Sequence, residues 1–198
     1  MHADLSNVAT KIWSLAIRQN LTISAKWLAG KLNTMPDYLS RLDNKYNWTI
    51  HPNLFQYLDK IWGPHTVDRF ACMNSAQCAK YNSLFLDPTT SGVDAFSETD
   101  WREENNFINA PFRLLPRILN KLDQYQAYAT IIAPLFRAHP FFLRLINRSI
   151  AAPIRLPKAR TFCIPMSNKL PEPLRNPKWK IYAWRVCGRR DCCPATGL

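Results

Sequence analysis

The chain has 198 residues, room for one domain of ordinary size plus appendages. A hydrophobic share of 47%, with seven Trp, seven Tyr and ten Phe, can build a core and excludes wholesale disorder. The net charge of +12 is unevenly held: residues 46–150 carry ten Lys/Arg against nine acids, while residues 151–198 carry ten against two.

Residues 4–19 read as an amphipathic helix, with Leu5, Val8, Ala9, Ile12, Trp13 and Ala16 on one face. Asp4 or Ser6 is placed to cap its start and Asn20 to end it. Leu21, Ile23, Ala25 and Trp27 then alternate with polar residues, the pattern of a half-buried strand. Further on, residues 52–61 predict a helix burying Leu54, Phe55, Leu58 and Ile61. Val67–Ala71 and Phe107–Asn109 predict short strands. Leu114–Leu122 predicts a helix that tolerates Pro116 only in its first turn. Tyr128–Ala133 is an apolar strand of the type buried on both faces of a parallel sheet, and Phe141–Ile150 predicts a last helix. Alternating strands and helices predict an α/β fold with a parallel sheet. From residue 151 seven of the fifteen prolines interrupt any periodicity. That stretch is expected to be an irregular basic tail, with one strand within 177–184.

Two stretches carry a resemblance. Residues 28–42 hold Gly30, Lys31 and Asn33 after the strand, then Asp37 ahead of Leu39-Ser-Arg41. This resembles the closing segment of the RNase H domain of retroelement reverse transcriptases, with Pro36 a departure from the small residue usual there. The resemblance implies that Asp37 is the last of four carboxylates holding two Mg²⁺ ions. Two-metal hydrolysis needs several carboxylates around cations about 3.5–4 Å apart. The other three would lie upstream, so no RNase H activity is expected of this chain alone.

The second skeleton is His51-Pro-Asn-Leu-Phe55, Val67-Asp-Arg-Phe-Ala71, Val93-Asp-Ala-Phe96, Trp101, Phe107-Ile-Asn-Ala-Pro-Phe112 and Ala129-Thr-Ile-Ile-Ala-Pro134. It resembles the domain that follows RNase H in DIRS-type retroelements, itself similar to phage-type DNA adenine-N6 methyltransferases. The resemblance implies a small Rossmann-like, methyltransferase-type sheet over residues 46–150, after an RNase H remnant over 1–45 and before the tail at 151–198. It also implies S-adenosylmethionine as cofactor and a motif at Asn109, Ala110, Pro111 and Phe112. There an amide oxygen and the next carbonyl accept hydrogen bonds from the target amino group, and an aromatic ring stacks on the flipped base. Ala110 replaces a proline and loses its fixed φ. No glycine follows Asp68, where a nucleotide site usually has one. Asp68 either meets a cofactor or caps the next turn, and Asp94 is read as a turn cap.

Arg155, Lys158, Arg160, Lys178, Lys180, Arg185, Arg189 and Arg190 are the candidate contacts to DNA or RNA phosphates. The alternative is a solvated linker kept soluble by its charge. Cys187, Cys192 and Cys193 hint at metal, but the chain has no Cys-x-x-Cys pair, so the six cysteines read as reduced thiols. His65 and His139 read as loop and helix-start residues, and no phosphate loop or nucleophilic triad is present. The longest uncharged apolar run is too short to span a bilayer, and no signal peptide opens the chain. An intracellular protein, nuclear or cytoplasmic, is expected. The leading expectation is a catalytically silent piece of a retroelement polyprotein. The alternatives are an adenine methyltransferase working through Asn109, Ala110 and Phe112, or a nucleic-acid-binding accessory working through its basic end.

Overall fold

Proline and histidine set where two of the helices start. His51 and His139 each precede a proline, and each ring accepts a hydrogen bond from the backbone N–H two residues on, Asn53 and Phe141. Pro52 and Pro140 then occupy first-turn positions, where a missing N–H costs nothing. The computed structural model describes residues 2–24, 48–85, 89–97, 100–166, 170–176 and 178–189. The chain divides into two units, Met1–Ser40 and Arg41–Leu198.

In the first unit, α1 spans His2–Arg18. It begins before Asp4 and Ser6, so neither is its cap. Asn20 ends it in the left-handed conformation (φ 53°), with Leu21 N–H returning to the Ala16 carbonyl. Of its expected inward face, Ala16 is buried, whereas Val8, Ile12 and Trp13 are about half exposed. Residues 21–24 form no ladder among the described residues, and the rest of the strand expected there lies outside them.

The second unit runs β1 (Trp48–Ile50), α2 (Pro52–Trp62), β2 (Val67–Asp68), β3 (Lys80–Ser83), β4 (Gly92–Val93) and β5 (Asn105–Ile108). A single 3₁₀ turn then leads into α3 (Leu115–Tyr125), β6 (Tyr128–Pro134) and α4 (Pro140–Asn147). The chain finishes with β7 (Ile154–Arg155), α5 (Ala159–Phe162), β8 (Cys163–Pro165), α6 (Glu172–Arg175) and β9 (Ile181–Cys187). Seven strands form one sheet in the order β4-β3-β2-β5-β6-β9-β7, and β1 pairs with β8 in a separate antiparallel ribbon. From β4 to β6 all neighbours are parallel, and β9 runs antiparallel to both β6 and β7. The fold is therefore mixed α/β with a mostly parallel central sheet, as the alternating pattern predicted.

The two faces of the sheet bury different sets of side chains, because successive strand residues point opposite ways. Ile108, Ile131, Trp184 and Val186 pack against Leu115, Ile118, Leu119 and Leu122 of α3 and Phe141, Phe142 and Leu145 of α4. Phe107, Ile132 and Ala183 pack on the other face with Leu58 of α2, Ile50 and Phe162. Of the four residues expected to be buried on α2, Leu58 is, Leu54 and Phe55 are half-buried, and Ile61 is 45% exposed. A methyl-rich side chain such as Leu58, wholly buried, is worth about 1.5–3 kcal/mol relative to exposure.

The principal correction concerns residues 151–198. The expected irregular tail instead supplies β7 and β8, and the one strand expected within 177–184 is β9, which lies inside the main sheet with a partner on each side. Its seven residues pair with the whole length of β6, and Gly188 N–H continues the contact to the Ala127 carbonyl. Residues 46–150 and the described part of 151–198 are one structural unit, not a domain and an appendage. Cys187, at the end of β9, is disulfide-bonded, which corrects its reading as a reduced thiol and removes it from any metal-ligand set.

Candidate nucleic-acid interface

Chain order reverses in the sheet between β2 and β5, and in open α/β sheets ligands bind outside the carboxyl ends of strands at such a point. Two motifs singled out from the sequence end there. Asp68 is the last residue of β2, and Asn109-Ala110-Pro111-Phe112 follows β5 directly. Strand pairing brings them together, since Asp68 lies opposite Phe107 in the ladder.

Asn109 is half-buried. Its Nδ2 donates to the Trp48 carbonyl at 3.0 Å. A carbonyl can only accept, so this bond fixes which way the amide points. Its Oδ1 is then buried with no hydrogen-bond partner. An orphaned buried acceptor costs roughly 1–3 kcal/mol and calls for an explanation. A donor from a ligand is one. Phe112 packs edge-on against Trp48 at 6.3 Å and Trp48 against Phe162 at 5.8 Å. Ala110 is buried, and Pro111 leads into the turn before α3.

Asp68 serves its own loop. Its Oδ1 accepts from Phe70 N–H at 3.4 Å and its Oδ2 from Gln77 N–H at 3.1 Å, closing residues 69–77 into a turn without a helix. Burial pushes its carboxyl pKa up to about 7, against the pull of those two N–H groups. Arg69, next along, is 2% exposed, and its guanidinium turns back across the sheet. Nε donates to Asn106 Oδ1 at 2.7 Å and Nη1 to Asn82 Oδ1 at 2.9 Å, and the group lies 5.1 Å from the Trp101 ring. Phe70, Phe96 and Trp101 pack together beside it, with Arg117 over Phe96 at 3.7 Å. Arg69 had no expected part, although it stands within the short strand expected at Val67–Ala71. Asp94 caps its turn as expected, accepting from Phe96 N–H at 3.0 Å with φ 56°.

At the opposite, amino-terminal edge lies a buried polar network that the sequence did not reveal. The two nitrogens of the His65 ring meet Asp59 Oδ1 at 2.6 Å and Thr130 Oγ1 at 2.7 Å, and Arg185 donates to Asn105 Oδ1 and Thr130 Oγ1. Thr130 is fully buried, so this Asp-His-Thr alignment braces α2 against β6 and has no exposed nucleophile. Burial lowers the His65 pKa, and Asp59 opposes the shift. The thiols of Cys78 and Cys163 are pushed up to about 12 by burial, which keeps both protonated and inert.

The basic candidates separate. Arg155, Lys158, Arg160 and Lys180 line one groove together with Arg175 and Trp179, which the sequence had not joined to them. Lys178 is exposed but outside that lining, and Arg189 lies 5.2 Å over Tyr128. Arg185 belongs to the buried network, which corrects its reading as a surface phosphate contact. Asp37, Arg190, Cys192 and Cys193 lie outside the described residues. Among the described residues no group of three His, Cys, Asp or Glu is placed to hold a metal ion. No helix among them is long and apolar enough to cross a membrane. Compared with known proteins, the chain matches no family model and no curated sequence.

Proposed function

We propose that residues 41–198 form a methyltransferase-type domain of a DIRS-like retroelement chain that binds nucleic acid, reads a nucleobase amino group through Asn109, and does not itself transfer a methyl group. The observation that carries the reading is the buried, unpartnered Asn109 Oδ1 at the carboxyl end of β5. It supplies the acceptor that a base's exocyclic amino group needs, and Phe112 follows at the position from which a ring can flank that base.

The strand order supports the fold half of the proposal. Counted through the members of the main sheet in chain order, it reads 3-2-1-4-5-7-6. The first five follow the order of doubly wound nucleotide-binding sheets, and one antiparallel strand is let in beside the fifth. The first five strands, β2 to β6, lie within residues 46–150, where the resemblance implies a Rossmann-like sheet.

S-adenosylmethionine, the cofactor of that family, does not fit the residues at the end of β2. A nucleotide there needs backbone N–H groups and close approach of the chain. Here Asp68 takes the N–H groups of Phe70 and Gln77 for itself, and no glycine lies between Gly63 and Gly92. Phe70, in the loop after Asp68, packs against Phe96 and Trp101 where a bare loop is required. The RNase H reading of residues 1–45 rests on the resemblance around Asp37 alone, and no step through Mg²⁺ is derived.

Thermal denaturation of the full chain separates the possibilities. A ligand binding only the folded state at a hundred times its Kd stabilises it by about 2.7 kcal/mol. An adenine-containing single-stranded oligonucleotide is expected to raise Tm, and millimolar S-adenosylmethionine is expected to leave it unchanged. A rise with the cofactor would restore the methyltransferase activity. No rise with the oligonucleotide would remove the base-reading role.

A further inference from the structure

The groove lined by Arg155, Lys158, Arg160, Arg175 and Lys180 has a volume of about 940 Å³, near the upper end of the roughly 300–1,000 Å³ typical of ligand sites. These five cations come from the end of β7, the turn into α5, α5 itself, α6 and the approach to β9. No acid is among the described lining residues, and none of the five is ion-paired with a described acid. All five side chains are exposed. Mutual repulsion in one concavity costs stability unless an anion occupies it. Trp179 adds an aromatic wall, half-buried and held edge-on by Phe136 at 4.5 Å.

The groove opens on the same edge of the sheet as Asn109. Arg155 ends β7 and Ile181 begins β9, opposite Pro134, the last residue of β6, while Asn109 follows the end of β5, parallel to β6. The connection is physical. Phe162 lines the groove and packs on Trp48, whose ring meets Phe112 and whose carbonyl holds the Asn109 amide. The β1–β8 ribbon ties these pieces together.

We infer that this groove carries the sugar–phosphate backbone of a single-stranded nucleic acid and feeds its base toward Asn109. The direction of the strand rests on the base-reading role proposed above, whereas the backbone contact stands on the groove's own charge. Cations along a concavity with an aromatic wall follow a flexible single strand, and stacking on the ring tolerates any base. Each phosphate contact to a single strand contributes about 0.7 to the salt slope.

The test uses the full chain, fluorescence anisotropy and two oligonucleotides, one of thymidines only and one with a central adenine, over a series of salt concentrations. Replacing Lys158 and Arg160 together by Gln is expected to reduce the slope of log K against log salt by roughly 1.4 for both oligonucleotides. At 0.1 M salt that corresponds to a loss on the order of 25-fold. Lys180→Gln alone is expected to reduce the slope by roughly 0.7. Unchanged slope and affinity in these variants, with unchanged melting curves, would overturn the inference. Tighter binding of duplex DNA or of polyglutamate than of the single strand would also overturn it. Asn109→Ala is expected to leave the slope intact and remove only the preference for adenine. An adenine preference that Asn109→Ala leaves unchanged, with the slope change of the groove variants retained, would discard the base-reading role and keep the groove.

Discussion

Replacing Arg69 by Met tests whether the end of β2 is structural. The substitution keeps most of the volume and removes the guanidinium. Asn106 Oδ1 and Asn82 Oδ1 then lose donors at 2.7 and 2.9 Å inside the protein. Hydrogen bonds from a charged donor contribute about 1.5–3 kcal/mol each, so the two are worth roughly 3–6 kcal/mol. The contact over Trp101 adds about 0.5–1 kcal/mol. Relieving a buried charge of its desolvation offsets part of this, leaving an expected loss of about 2–4 kcal/mol, large against the 5–15 kcal/mol of a typical domain. Urea denaturation would show it as a midpoint lowered by about 1–2 M at unchanged slope. Arg113→Met, at an exposed position, is the control and is expected to stay within about 0.5 kcal/mol. If Arg69→Met is as stable as that control, the guanidinium is not a brace, and the reading of the loop after β2 as a structural turn fails.

Three further outcomes are expected. A Cβ at Gly188 would sit 1.8 Å from the Leu122 carbonyl oxygen, so Gly188→Ala should cost about 1–3 kcal/mol or more in thermal denaturation. Unchanged Tm would mean that β9 does not abut the end of α3. The folded-state pKa of His65 lies below its ordinary 6.5, so its contribution is present above 6.5 and is lost as pH falls. The urea midpoint of the native chain should therefore drop relative to that of His65→Gln between pH 7 and pH 5, and parallel curves would dismiss the buried neutral ring. Asp68 runs the other way. Its folded pKa of about 7 lies above 3.8, so its contribution is full below 3.8 and is lost as pH rises through 7. Asp68→Asn should gain on the native chain between pH 5 and pH 8, and a constant difference would show the carboxylate to be solvated.

Much of the α/β unit was legible because its signals are local. The apolar run at Tyr128–Ala133 became β6, Pro116 sits in the first turn of α3 where a missing N–H is harmless, and His139 with Pro140 starts α4. Asn109 and Asp68 were legible as a pair of strand ends, and the ladder makes them neighbours. The hidden parts are non-local. Lys80-Tyr-Asn-Ser83 has no apolar alternation, and its place as β3 depends on the ladder to β2 and on Asn82 receiving Arg69. β9 follows a proline-broken, basic stretch that reads as a tail, while its stability comes from a β6 more than forty residues earlier in the chain. The groove was invisible for the same reason. Arg155 and Lys180 are far apart in sequence and meet only because β7 and β9 are paired.

The most direct measurement compares two single-stranded oligonucleotides that differ only in one base, adenine or hypoxanthine, for binding to the native chain and to Asn109→Ala. Hypoxanthine replaces the exocyclic amino donor by a carbonyl, which would face Asn109 Oδ1 acceptor to acceptor. At about 1–3 kcal/mol for a buried hydrogen bond unmade, the native chain should prefer adenine by roughly tenfold or more, and the variant should bind the two alike. Equal binding of both by the native chain would contradict the account.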